Sequence, residues 1–478
     1  MPTESHRYLR GEPCAEPGRA QSLSSNRLAG LAAAWSRLRG SSAFGANTAL
    51  NAAGNIALGI LGTFTGMLAA RLLGPLGRGE LAAIQTWPVL IGYLVLLGMG
   101  DALVYYSARE PERAGSYLTS AILLALISCG PFSLAGYIAM PLLLSAQTAS
   151  VVAAARWYLL IVPLVAIAVI PLNTVRGQGD FAAWNALRLM PGLSWLAILI
   201  GAWLISCHSA VKLAQSYLLG FVVLMVITLS VVKRRISGSF RPELRNSGPL
   251  LSYGLPCMLT TLPQVLNFRL DQMVMTGFIA PFQLGLYVAA VSWSGVLTPL
   301  LYALSSSLFP ALAAKSGEHE RLRTFVHGAR LAALGAILLG VILTLATPLG
   351  IAVLFGRGFR AAIPAGLILV PAAAVAGFNQ VMQAGLRGLG RPVAVMGSEM
   401  AGLVVTVISL WLLLKPLGIV GAAIASVLGY ATVTLVLLVQ SRRLTGSSTA
   451  GLLIPSIDDL LGYARYMRLM MRALMAAP

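Results

Sequence analysis

The sequence predicts an all-α polytopic membrane protein, with twelve transmembrane helices forming two parallel six-helix bundles around a central cavity. Three features point there. Only 10% of the 478 residues are charged and 57% are apolar, whereas a soluble domain carries about 25% charged residues. Apolar runs near the ~20 residues needed to cross ~30 Å of hydrocarbon recur along the chain. The second half also repeats turn motifs of the first.

The charge deficit excludes a soluble enzyme with one anchor. An excess of 34 Lys+Arg over 15 Asp+Glu gives a net charge of +19. The basic residues fall between apolar runs, so the partner they imply is the surface of the phospholipid bilayer and not nucleic acid. Cys14, Cys129, Cys207 and Cys257 are scattered without metal-ligand or disulfide spacing, and no P-loop is present. Neither metal nor cofactor is expected.

Residues 1–43 read as a cytoplasmic N-terminal segment. In NRLAGLAAAWSRLRG, Leu28, Leu31, Trp35 and Leu38 recur at helical spacing among arginines, the pattern of a helix lying on a membrane. Six spans follow at about 46–69, 80–99, 116–138, 152–174, 183–206 and 211–232, making a first bundle over 44–232. A basic cytoplasmic linker occupies 233–249. Spans at about 250–277, 284–308, 328–347, 362–385, 393–414 and 418–440 make a second bundle over 250–440. The tail, 441–478, contains SIDDLLGYARYMRLMMRALM, where Ser456 suits an N-cap and Arg465, Arg468 and Arg472 share a face. It suits an interfacial helix. With both termini cytoplasmic, 26 of the 34 basic residues lie on the cytoplasmic side and 7 opposite, as the positive-inside rule requires.

The repeat consists of two echoes. Pro75, Gly79, Ala83 and Trp87 match Pro281, Gly285, Ala289 and Trp293 at an offset of 206, and RGQG at Arg176 matches RGLG at Arg387 at 211. Each pair falls at the same place in its half. Six spans per half is even, so the halves share one orientation. Parallel repeats are a transporter design, with substrate held between halves that rock.

Within the spans, charge is rare and therefore informative. In LTTLPQVLNFRLDQMVMTGF, Arg269 and Asp271 sit where an ionisable group costs roughly 2.5–3.5 kcal/mol. On a continuous helix, Thr260, Gln264, Asn267 and Asp271 form one polar stripe, and Arg269 diverges toward Gln272 and Thr276. Either the helix lines a wet cavity where Arg269 offers its fork to an anion, or both charges pair with neighbouring helices. Asn47, Asn51 and Asn55 recur every fourth residue on the first span; their amides suit sugar hydroxyls or helix–helix hydrogen bonds equally. Arg71 and Arg78 flank the GPLGRG turn, and Arg176 and Arg387 end the fourth span of each half. These four are candidates for substrate admission or gating, with turn chemistry as the structural alternative. No catalytic constellation is found, and no enzyme activity is expected.

ARLLGPLGRGELAAIQTW, the seventh-span run NFRLDQMVMTGFIAPFQLGLYVAA and the RGQG/RGLG turns resemble the polysaccharide (O-antigen-type) flippases of the multidrug/oligosaccharidyl-lipid/polysaccharide exporter superfamily. The resemblance covers about residues 44–440. It implies two bundles forming a V around a cationic lumen, in a multi-pass protein of the bacterial inner membrane. The implied substrate is an undecaprenyl-pyrophosphate-linked oligosaccharide, and the implied drive is an ion gradient or the membrane potential. Few basic residues lie within the spans here, a departure from that pattern. A glycan polymerase or ligase is the expected neighbour, and the chain itself is expected to act as a monomer.

Three alternatives stand beside this reading, of which flipping the peptidoglycan precursor is weakened by the twelve-span count. A cation-coupled multidrug exporter of the same superfamily needs acidic lumen residues, for which Asp271, Asp101 and Glu399 are the candidates. A membrane glycan ligase or polymerase needs convergent carboxylates in an external loop, and none is seen.

Overall fold

The computed structural model describes residues 19–454, except 237, 300, 303–304, 306–307, 309–311, 313–316 and 447; of residues 19–49 it describes the backbone alone. The expected surface helix at 26–40 therefore has its face outside the described residues, as has the side chain of Asn47. The expected tail helix at 456–472 lies outside them altogether. The chain divides into two compact units, Met1–Ala49 and Leu50–Pro478, and every side-chain contact described below lies in the second.

α1 (Arg19–Val95) runs through a kink at Gly74, where φ is 65° and ψ −179°. Glycine takes that backbone at no steric cost, and Pro75 then opens the next arm with its φ already helical. A short turn at Leu96–Gly98 leads to α2 (Met99–Arg109). The first half continues through α3 (Ala114–Leu143), α4 (Ala149–Tyr158), α5 (Ile161–Gly177), α6 (Phe181–Leu204) and α7 (Ala210–Arg235). Asp180 caps α6, accepting the Ala183 N–H at 3.0 Å and pairing with Arg235. That backbone bond, and then the guanidinium, hold its carboxyl below the usual carboxylate range.

The linker is docked against the first half. Arg113 donates to Asn246 Oδ1 at 3.0 Å and pairs with Glu243 at 3.5 Å, while Asn246 Nδ2 donates to Ser116 Oγ at 2.9 Å. The second half comprises α8 (Ser247–Asn267), α9 (Leu270–Phe278), α10 (Pro281–Ser294), α11 (Glu318–Gly350), α12 (Ile363–Gly388), α13 (Pro392–Thr445) and α14 (Thr449–Leu453). α13 turns at Gly418 and doubles back, so that a Cβ on Gly429 would meet Thr406 Oγ1 at 1.9 Å.

Among the described residues, eight helical stretches are long and apolar enough to cross a membrane. Two of them, Leu50–Arg109 and Pro392–Thr445, measure 60 and 54 residues. This is a multi-pass, all-helical membrane protein. One boundary differs from expectation. The seventh span is not a continuous helix: it breaks at Phe268–Arg269, where Arg269 N–H bonds Leu266 O in a tight turn. Gln264, Asn267 and Asp271 still share one side across that break, packed on the second half.

The repeated turns share one geometry. Gly179 (φ 82°) and Gly390 (φ 78°) end α5 and α12, and in both the glycine N–H bonds the arginine carbonyl three residues back at 3.0 Å. The next N–H reaches five residues back, from Asp180 to Val175 O and from Arg391 to Leu386 O. A positive φ strains any residue with a Cβ, which is why both copies carry glycine there.

Candidate functional site

A cavity of about 410 Å³ lies between the second arm of α1, α8–α9 and α10. Arg78, Gln85, Thr86 and Tyr93 line it from α1, Arg269 and Gln272 from the α8–α9 break, and Ser292 from α10. The break places Arg269 here. Its φ of −132° and ψ of −15° lie off the helical values, and its side chain is exposed to the cavity. Arg78 Nε is buried without a hydrogen-bond partner. No carboxylate lines the cavity, and no ion pair among the described residues involves Arg78 or Arg269.

Close backbone crossings bound the cavity at both ends. Toward Gly74, the two repeated motifs meet each other: a Cβ on Gly79 would sit 1.7 Å from Pro281 O, and one on Gly285 would sit 1.8 Å from Pro75 O. Toward the linker, a Cβ on Gly98 would sit 1.9 Å from Gly254 O. Side chains bridge the same seam. Trp87 Nε1 donates to Thr276 Oγ1 at 3.0 Å, and the Tyr93 and Thr261 hydroxyls are 2.8 Å apart. Arg71 reaches across from the first half to Leu354 O at 2.7 Å and to Val353 O, capping carbonyls at the end of the α11 stretch.

Asp271, Asn267 and Gln264 do not line this cavity, contrary to the lumen placement expected for them. They face the second half instead. Asp271 is 6% exposed and accepts from Tyr287 Oη at 2.5 Å, Gln272 N at 2.7 Å and Ser426 Oγ at 3.4 Å. Asn267 donates to Glu399 Oε2 at 2.5 Å and to Glu399 O at 2.9 Å. Gln264 donates to Gln383 Oε1 at 2.9 Å and accepts from Arg387 at 3.2 Å; Gln383 in turn donates to Glu399 Oε1 at 2.5 Å. Five side chains thus form a buried chain from Arg387 to Asn267. The physical reason is side-chain spacing along the run: Arg269 and Gln272 share the side that lines the cavity, and Gln264, Asn267 and Asp271 share the side packed on the second half.

The asparagine stripe bonds a neighbouring helix. Asn51 Oδ1 accepts from Asn185 Nδ2 at 2.7 Å, and Asn55 Oδ1 accepts from Arg188 at 2.8 Å. Arg188 and Arg176 lie over the Trp184 ring, at 4.1 and 4.9 Å from its centroid. Sequence reasoning passed over Arg188 and Gln383. Asn379, Gln383 and Arg387 recur every fourth residue, a signal as plain as the asparagines of the first span.

The chain matches the family described as "Polysaccharide biosynthesis protein" over residues 44–316. It is 23% identical over 375 residues to the probable low-salt glycan biosynthesis flippase Agl15 of Haloferax volcanii, covering 75% of this chain and 76% of that protein. Its fold is shared by the lipid II flippase MurJ in an inward closed conformation, with a TM-score of 0.70 at 15% identity over 88% of this chain and 99% of that one. An inward-facing multidrug resistance MATE family transporter matches with a TM-score of 0.63 at 18% identity over 84% and 96%. The chain therefore belongs to the polysaccharide biosynthesis protein family, with the fold of the multidrug/oligosaccharidyl-lipid/polysaccharide exporter superfamily.

Proposed function

We propose that this protein flips a polyprenyl-pyrophosphate-linked oligosaccharide, of the undecaprenyl class, across a bacterial inner membrane by alternating access. One observation carries the reading: two guanidinium groups, neither in an ion pair among the described residues, line a cavity between the halves whose lining holds no carboxylate. Guanidinium forks match phosphate oxygens bidentately and stay charged at any physiological pH. Gln85, Gln272, Tyr93 and Ser292 offer both donors and acceptors to the polar end of a glycan lipid. A drug-exporter site for organic cations would need acids at this cavity, and Asp271 and Glu399 are turned away from it.

The reading takes twelve crossings. Straight helices of 60 and 54 residues would extend ~80–90 Å, far beyond the hydrocarbon, so Leu50–Arg109 and Pro392–Thr445 each count as two. α8–α9 and the segment beginning with α10 supply the seventh and eighth. With both termini cytoplasmic, the Gly79–Gly285 crossing is the outer closure and Gly98–Gly254 the inner one. Arg176 and Arg387 end their helices on the inner side, suited to meeting phosphate first, and Arg71 latches the outer side. Asp271 and Glu399, the carboxylates at membrane depth in the second half, are suited to carrying a coupling proton.

Deletion in the native host, followed by locating polyprenyl-linked sugar, tests this directly. Accumulation in the inner leaflet is the expected outcome. Unligated or unextended glycan on the outer face would point to an enzyme, and drug sensitivity without a glycan defect would point to an exporter.

A further inference from the structure

A second recess lies on the outside of the first half, between α3 and α4–α5. It measures about 990 Å³ and is lined mostly by apolar side chains, including Cys129, Pro141 and Pro163. Pro163 lacks the N–H that would bond Leu159 O, and the helix is interrupted at Leu159–Leu160. Exposed aromatics stand at the rim, with Trp157 70% and Tyr137 49% exposed. One cation stands among them. Arg156 donates Nε to Tyr137 O at 3.0 Å and lies over the Tyr137 ring at 4.4 Å from its centroid. Its two terminal nitrogens make no hydrogen bond among the described residues, and no carboxylate lines the recess.

The second half carries the corresponding recess. It measures about 520 Å³ and lies along α11 and α12. Pro371 lines it 208 positions after Pro163, and Thr344 lines it 211 positions after Ser133, both within the offsets of the repeat. No charged side chain lines this copy. The duplicated groove has thus acquired a guanidinium in one half only, at a rim of the Trp and Tyr type that marks the headgroup level of a bilayer.

We propose that the Arg156 groove is a binding site for a bilayer phospholipid with an anionic headgroup, its acyl chain in the apolar recess and its phosphate at the Arg156 fork. Charge complementarity selects this occupant: an Arg near the membrane surface attracts anionic headgroups, and the exposed aromatic rim holds the chain's upper end. None of the groove's residues lines the central cavity, so a glycan lipid whose pyrophosphate sits at Arg269 does not fill it. The proposal stands independently of the transport reading.

The test is native mass spectrometry of the purified full-length protein, offered equal amounts of phosphatidylglycerol and phosphatidylethanolamine. Wild type is expected to retain phosphatidylglycerol by ~5-fold over phosphatidylethanolamine, the ratio for an interaction of ~1 kcal/mol per surface arginine. Arg156→Gln is expected to bring the two lipids to parity, and Arg156→Lys to keep part of the preference. Ala153→Trp, which fills the groove without changing charge, is expected to lose both lipids. Indifference in wild type, a preference that survives Arg156→Gln, or undiminished retention by Ala153→Trp would each overturn the site.

Discussion

Gly79 and Gly285 meet reciprocally: the first approaches the carbonyl of Pro281 and the second the carbonyl of Pro75, each too closely for any Cβ. The proline that opens one arm supplies the oxygen that the other arm's glycine must clear. This explains why both copies of the repeat keep proline and glycine four residues apart. The motif is a self-complementary contact between the halves, as in an isologous interface.

That contact predicts the effect of one methyl group. Gly79→Ala combined with Gly285→Ala must separate the two arms, because the obstructing atoms are backbone and have no rotamer to escape into. Labelling of Ser292→Cys by a membrane-impermeant thiol reagent, with the native cysteines replaced, is expected to accelerate several-fold in the double-alanine background. An unchanged rate would show that the crossing does not control access to the cavity.

Much of this architecture was legible in the sequence, and for definite reasons. Apolar runs and loop charges mark spans because the bilayer tolerates few alternatives. The RGQG and RGLG turns were readable because a left-handed helix end needs glycine. Arg269 stood out because charge at membrane depth is rare. What stayed hidden was three-dimensional. Nothing local announces the turn at Phe268–Arg269, and nothing in the sequence tells which of the two diverging faces, that of Gln264, Asn267 and Asp271 or that of Arg269 and Gln272, meets the cavity. Arg188, inside the expected fifth span, was passed over, and its partners Asn55 and Trp184 appear only in three dimensions.

Glu399 tests the buried polar chain. Removing its carboxylate leaves Gln383 without its acceptor and Asn267 with the Glu399 backbone carbonyl alone, which costs about 1–3 kcal/mol for a buried unsatisfied group. Glu399→Ala is expected to lower the unfolding temperature in detergent clearly, and Glu399→Gln much less. Equal stability of the alanine variant and wild type would mean the network is not formed.

The asparagines of the first span are expected to behave as packing residues. A hydrogen bond between membrane helices averages about 0.6 kcal/mol, so Asn51→Leu is expected to lose less than about 1 kcal/mol and to keep transport. Loss of transport at unchanged stability would return Asn51 to the substrate.

Asp180 gives a pH signature outside the membrane. Its folded pKa is depressed, by the Ala183 N–H first and Arg235 second. Its contribution is therefore fully present above the unfolded value of about 3.9 and disappears as pH falls through the lower folded value. Asp180→Asn is expected to lower the unfolding temperature by a similar small step at pH 5 and at pH 8. A difference that vanishes at pH 8 would contradict the assignment of the cap.

On the proposed function, Arg269 meets the pyrophosphate of a lipid-linked glycan inside the cavity between the halves. Reconstituted protein in liposomes, assayed for flipping of a polyprenyl-pyrophosphate glycan, measures it directly. Arg269→Ala is expected to abolish flipping with protein level and unfolding temperature intact, and Arg269→Lys to retain a part. Flipping by the alanine variant at the wild-type rate would remove Arg269 from the site and contradict the account.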